Sequence, residues 1–86
     1  MNTIIGRWET YDAIDGKLYF VFGNDGSMES NLWSATEITR GKFTYKDGKI
    51  TFYPNAQTSS TVGADVSGNT LIFTYPDGTR FKYNRA

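Results

Sequence analysis

The chain has 86 residues, with nine Lys or Arg balanced by nine Asp or Glu, and no histidine or cysteine. That length builds one core, so residues 1–86 are read as a single domain, and zero net charge argues against nucleic acid or an anionic membrane as the main partner. Disulfides, thiol catalysis, the commonest zinc sites and the commonest general base are excluded by composition.

Turn chemistry divides the chain. Asp15-Gly16, Asp25-Gly26, Asp47-Gly48 and Asp77-Gly78 are hairpin dipeptides, and Ser67-Gly68-Asn69 is a further turn signal. Softer breaks fall at Ser34 to Glu37 and at Pro54 to Ser59. These seven breaks leave eight segments of ordinary strand length, and none shows helical periodicity.

Alternation assigns a face to each segment. Gly6, Trp8 and Thr10 share a side in the first; Leu18, Phe20 and Phe22 in the second; Met28 and Leu32 in the third. Gly41, Phe43 and Tyr45 follow, then Ile50 and Phe52, then Val62, Ala64 and Val66. Leu71, Phe73 and Tyr75 continue the pattern, and Phe81, Tyr83 and Arg85 finish it. The opposite sides carry Arg7, Glu9, Lys17, Glu29, Arg40, Lys42, Lys46, Asp65, Arg80 and Lys82, the mixture that water tolerates.

One apolar face per strand over eight strands requires a closed barrel or a two-sheet sandwich. A Greek-key sandwich needs a long crossover, and every break here is short. The expected fold is therefore all-β, a single eight-stranded antiparallel up-and-down β-barrel. Connections after the second, fourth and sixth strands are tight, and those after the third and fifth are looser. One end is thus expected to be closed, at Trp8 and Arg85, and the other somewhat open.

Four stretches carry a family resemblance: Gly6-Arg7-Trp8, Phe22-Gly23-Asn24-Asp25-Gly26-Ser27, Gly41-Lys42-Phe43-Thr44-Tyr45 with Asp47-Gly48, and Phe81-Lys82-Tyr83-Asn84-Arg85. With these the chain resembles the short bacterial lipocalin-like domains, small relatives of the calycin barrels. The resemblance implies that Gly6, Trp8 and Arg85 form a structural signature, the tryptophan lying across the closed end under the arginine. It also implies a ligand carrier; localisation is left open, with a bacterial cell envelope or secretion favoured over the cytoplasm. The chain departs from full lipocalins in lacking their large first loop. The avidins also begin with Gly-x-Trp, but the later tryptophans of their biotin site have no counterpart here.

Two binding sites compete. A small hydrophobic or aromatic ligand entering the open end would meet Leu18, Leu32, Phe52, Tyr75 and Phe81, with Ser34 and Ser60 offering hydrogen bonds. An eight-stranded barrel can equally be filled by its own side chains. The alternative is then a protein-binding or inhibitory module, or a homodimer, using an outer patch of Tyr19, Val21 and Trp33 or the loop ends. Strand register would set Trp33 opposite Lys17 and diagonal to Tyr19. Arg40, Lys42, Lys46 and Lys49 are read as a solvated strand face. No catalytic residue, metal site or cofactor is expected, because the aspartates belong to turns and Glu9, Glu29 and Asp65 point outward on separate strands. No apolar run reaches the ~18 residues of a membrane-spanning helix, and no apolar leader is read, so Met1 is native or follows a removed leader.

Overall fold

The alternating segments form β1 (Gly6–Asp12), β2 (Gly16–Phe22), β3 (Ser27–Ser30), β4 (Thr39–Lys46), β5 (Lys49–Asn55), β6 (Thr58–Ser67), β7 (Thr70–Thr74) and β8 (Arg80–Arg85). The computed structural model describes residues 3–14, 16–34 and 36–86. Met1, Asp15 of the first expected turn and Ala35 of the Ser34 to Glu37 break lie outside the described residues. The strands close into a barrel in chain order, each antiparallel to the next, with β8 returning to β1. The expected architecture is the observed one.

The tight turns behave as their residues dictate. Asp47 and Gly48 have φ of 56° and 74°, the pair of positive values that a two-residue hairpin needs. One connection differs from expectation. β5 runs through Pro54 to Asn55, and β6 restarts at Thr58, so the break after β5 is tight rather than loose. The register slips between Phe52 and Asn55, and such an irregularity is where a strand tolerates proline. Looseness at the open end comes instead from residues 31–38 and 75–79.

The inward set packs into one aromatic cluster. Phe20 touches Phe22, Phe52, Phe73 and Tyr83 at ring-centroid distances of 5.1 to 5.6 Å, and these rings are buried. Pairs at such separations stabilise by ~0.5–1.5 kcal/mol beyond their area burial. The barrel is therefore filled at mid-height. Tyr45 and Phe81, both expected inside, are the exceptions at 39% and 38% exposure; Tyr45 lies at the end of β4 and its hydroxyl donates to the Ala64 carbonyl at 3.2 Å. Parity aims both inward, but their strands have reached the rim.

The closed end is built from both ends of the described chain. Trp8 is fully buried and its Nε1 donates to the Ile4 carbonyl at 2.9 Å, drawing buried Ile4 across the barrel floor. The Arg85 guanidinium lies 4.1 Å from the Trp8 ring centroid, as the resemblance implies. Its Nη1 donates to the Ile5 carbonyl at 2.9 Å and its Nη2 to the Thr3 carbonyl at 2.8 Å. Gly6 makes room for this: at φ +128° a side chain there would be strained and would sit 2.9 Å from Arg85 Nη1. One arginine thus holds the entering segment by its carbonyls and covers the indole face.

Candidate functional site at the open end

What shapes the open end is the point at which β3 stops. Phe22 pairs with Met28 and Phe20 with Ser30, which is the register that would set Trp33 opposite Lys17. The ladder ends there. Ser30, fully buried, donates from Oγ to the Tyr19 carbonyl at 2.7 Å and accepts from the Leu32 amide at 3.0 Å. The Asn31 side chain then stands in for backbone. Its Oδ1 accepts from the Tyr19 amide at 3.0 Å and its Nδ2 donates to the Lys17 carbonyl at 2.8 Å. β2 is thereby satisfied without a strand beside it, and the main chain is released to turn inward.

Trp33 is accordingly not on the outer face. Its ring meets Phe20 edge-on at 5.8 Å and Phe52 at 5.5 Å, closing over the aromatic cluster while remaining 38% exposed. Leu32 is half-buried against the same core. The outer patch expected of Tyr19, Val21 and Trp33 does not assemble. Tyr19 does face outward but is only 9% exposed, with the Arg7 guanidinium 4.4 Å above its ring and its hydroxyl donating to Glu29 Oε2 at 3.0 Å. Val21 is half-buried between its partners Arg7 and Glu29.

The residues expected to meet a ligand divide by depth. Leu18 and Phe52 are buried, Phe52 in direct contact with Phe20 and Trp33. Tyr75 and Phe81 form an edge-on pair at 5.2 Å on the rim, and Phe81 is 38% exposed. Ser60 is exposed opposite Phe52. Ser34 does not offer its hydroxyl outward, since Oγ accepts from the Thr36 and Glu37 amides at 3.3 and 3.1 Å. Sequence reasoning missed Tyr11, Ile14 and Ile38, which are 81%, 93% and 49% exposed at this end. Their signal was present: each is a large apolar residue beside or within a connection.

Cations and turn hydrogen bonds favour the ionised form of several carboxylates. Glu9 is held low by Arg7 and Lys17, and Asp25 and Asp77 by hydrogen bonds from Ser27 and Thr79. Arg40 pairs with Glu29 at 3.1 Å, and Arg40, Lys42, Lys46 and Lys49 are all exposed, as expected of a solvated strand face. A groove of about 710 Å³ crosses β4 and β5, lined by Lys42, Tyr53 and Pro54 among others. Among the described residues no helix is long and apolar enough to cross a membrane, and no cluster of three or more metal-ligating side chains occurs.

Burial raises the hydroxyl pKa of Tyr19, Tyr75 and Tyr83, Tyr83 most strongly. Below pH ~10 folded and unfolded tyrosines are both protonated, and the stability associated with these phenols is intact. Above it the unfolded chain releases protons that the folded chain keeps, so stability falls as pH rises. Tyr83 alone should contribute a slope approaching ~1.4 kcal/mol per pH unit. The last part of the tyrosinate absorbance, from the buried phenols, should therefore appear together with loss of near-ultraviolet circular dichroism. A full complement of tyrosinate in a still-folded protein would contradict this.

No family model, no curated protein and no solved structure matches the chain.

Proposed function

We propose that the protein is a non-catalytic binding protein that takes a small aromatic or apolar molecule at its open end, with Trp33 yielding the place. The observation that carries this is the indole itself. A partly exposed loop side chain occupies an aromatic seat made by buried Phe20 and Phe52. A flat apolar ring of similar size would meet the same surfaces. Glu9, Asp25 and Asp77 are each shifted toward ionisation by turns or cations, which supports binding rather than acid–base chemistry. Kinship with the short lipocalin-like barrels is proposed on the same footing. Its support is the Gly6, Trp8 and Arg85 arrangement in an eight-stranded meander.

The test has two arms. Native mass spectrometry of purified protein, before and after organic extraction, should reveal a small adduct that extraction removes. Trp33→Ala should bind indole at least ~10-fold more tightly than the parent, because the vacated seat is apolar and close to an indole in shape. Ser60→Phe at the mouth should weaken that gain. A clean apo mass, together with no indole binding by Trp33→Ala, would overturn the proposal. A second reading, a protein-binding rim, is favoured by the exposure of Tyr11, Ile14, Ile38 and Phe81 at one end. Its mark would be a concentration-dependent solution mass that reverts on Ile14→Ser with Tyr11→Ser.

A further inference from the structure

The barrel closes unevenly. β7 and β8 pair over five residues, Thr70↔Asn84 to Thr74↔Arg80, and β1 pairs with β2 up to Asp12↔Gly16. Between β1 and β8 only Trp8↔Arg85 and Glu9↔Asn84 pair, reinforced by the Ala86 amide donating to the Arg7 carbonyl at 3.0 Å. Both strands continue toward the open end, yet Tyr11 and Lys82, the next hydrogen-bonding pair, do not join. The Arg85 amide donates to Asn69 on the β7 side, and the Ala86 amide donates to β1. Backbone groups alternate along a strand, so Lys82 and Arg80 present theirs to the unjoined seam. A depression of about 350 Å³ lies beside the paired stretch, lined by Glu9, Tyr11, Lys17, Asn84, Arg85 and Ala86 among others, and stops short of Lys82.

We propose that this seam accepts an extended acidic peptide as an added strand on β8. The side chains specify its pattern. Arg80 and Lys82 face outward, are exposed, and form no ion pair among the described residues. Phe81 between them faces the barrel mouth and is 38% exposed. Opposite residues of an added strand share these faces, so the match is acidic, apolar, acidic. Of the carboxylates that β1 brings to the seam, Glu9 is neutralised by Arg7 at 2.7 Å and Lys17 at 3.0 Å, and Asp12 accepts from the Ile14 amide at 2.7 Å. A second copy is the wrong occupant. Two β8 edges paired antiparallel about Phe81 would set Arg80 against Lys82 in both directions.

The probe is the blocked peptide Thr-Glu-Val-Glu-Thr, titrated into the full chain and followed by amide NMR and hydrogen exchange. The Arg80 and Lys82 amides should shift and gain protection. N-methylation of both glutamate amides keeps the charge and removes the strand pairing, and should weaken binding by at least ~10-fold. Arg80→Glu with Lys82→Glu, both exposed, should reverse preference toward the matching lysine peptide while leaving the circular dichroism unchanged. Binding that tolerates N-methylation, shifts centred on Arg40 and Lys42, or no binding at all would each overturn the proposal.

Discussion

Truncating Phe20 to alanine is expected to destabilise the barrel by about 3–5 kcal/mol. Phe20 sits at 1% exposure in the middle of the aromatic cluster, with rings from β2, β5, β7, β8 and the 31–38 connection around it. Four of those neighbours are anchored on strands of a closed sheet, so the vacancy can be refilled only in part. A chain of this length has a total stability on the order of 4–13 kcal/mol, and the loss takes a large part of it. Denaturant unfolding of Phe20→Ala beside Phe81→Ala checks this directly. Phe81 is a rim residue at 38% exposure, and its loss should cost below ~1.5 kcal/mol. Equal midpoints for the two variants would show that the cluster is not what holds the fold.

Gly41→Ala is the second large effect, and it acts through backbone. A Cβ at Gly41 would collide with the Tyr53 carbonyl oxygen and lie 3.1 Å from Pro54 Cα. Both are main-chain atoms of the paired strand, where Lys42 faces Tyr53, so nothing can rotate away. Relief requires β4 and β5 to part beside the register slip, at a cost of about 3 kcal/mol or more. Gly63→Ala is the control, because its Cβ would meet Thr74 at an ordinary 3.4 Å and should change stability by less than ~1 kcal/mol. If the two substitutions prove equivalent in a denaturation series, the close approach is not a constraint.

The strands were legible because the signals agree. Asp-Gly turns fixed the limits of the hairpins, and alternation from Phe20 and Phe22 through Phe73 and Tyr83 named the inner face. The site was less legible, for a physical reason. Parity governs side-chain direction only while a ladder persists, and at Ser30 it ends. Once the Asn31 amide group replaces the ladder, Trp33 obeys the loop rather than the strand, and its expected outward face becomes a lid. Tyr19 shows the converse. Its direction was read correctly, but the Arg7 and Glu29 side chains that cover it belong to neighbouring strands. Pro54 reads as a break, yet β5 carries it at an irregularity that only the packing reveals.

The Arg85 clasp also sets when the barrel can become a barrel. Its bonds to Ile5 and Thr3 span 80 and 82 residues, and they close the floor around Trp8. Contacts so distant in sequence form slowly, because a long stretch of chain must first be ordered. Until β8 has been synthesised, the earlier strands can be no more than a curved open sheet, with β1 and β7 as unpaired borders. The nascent chain is therefore at its most adhesive just before β8 emerges, when most of the aromatic surface is made and the barrel is not yet sealed.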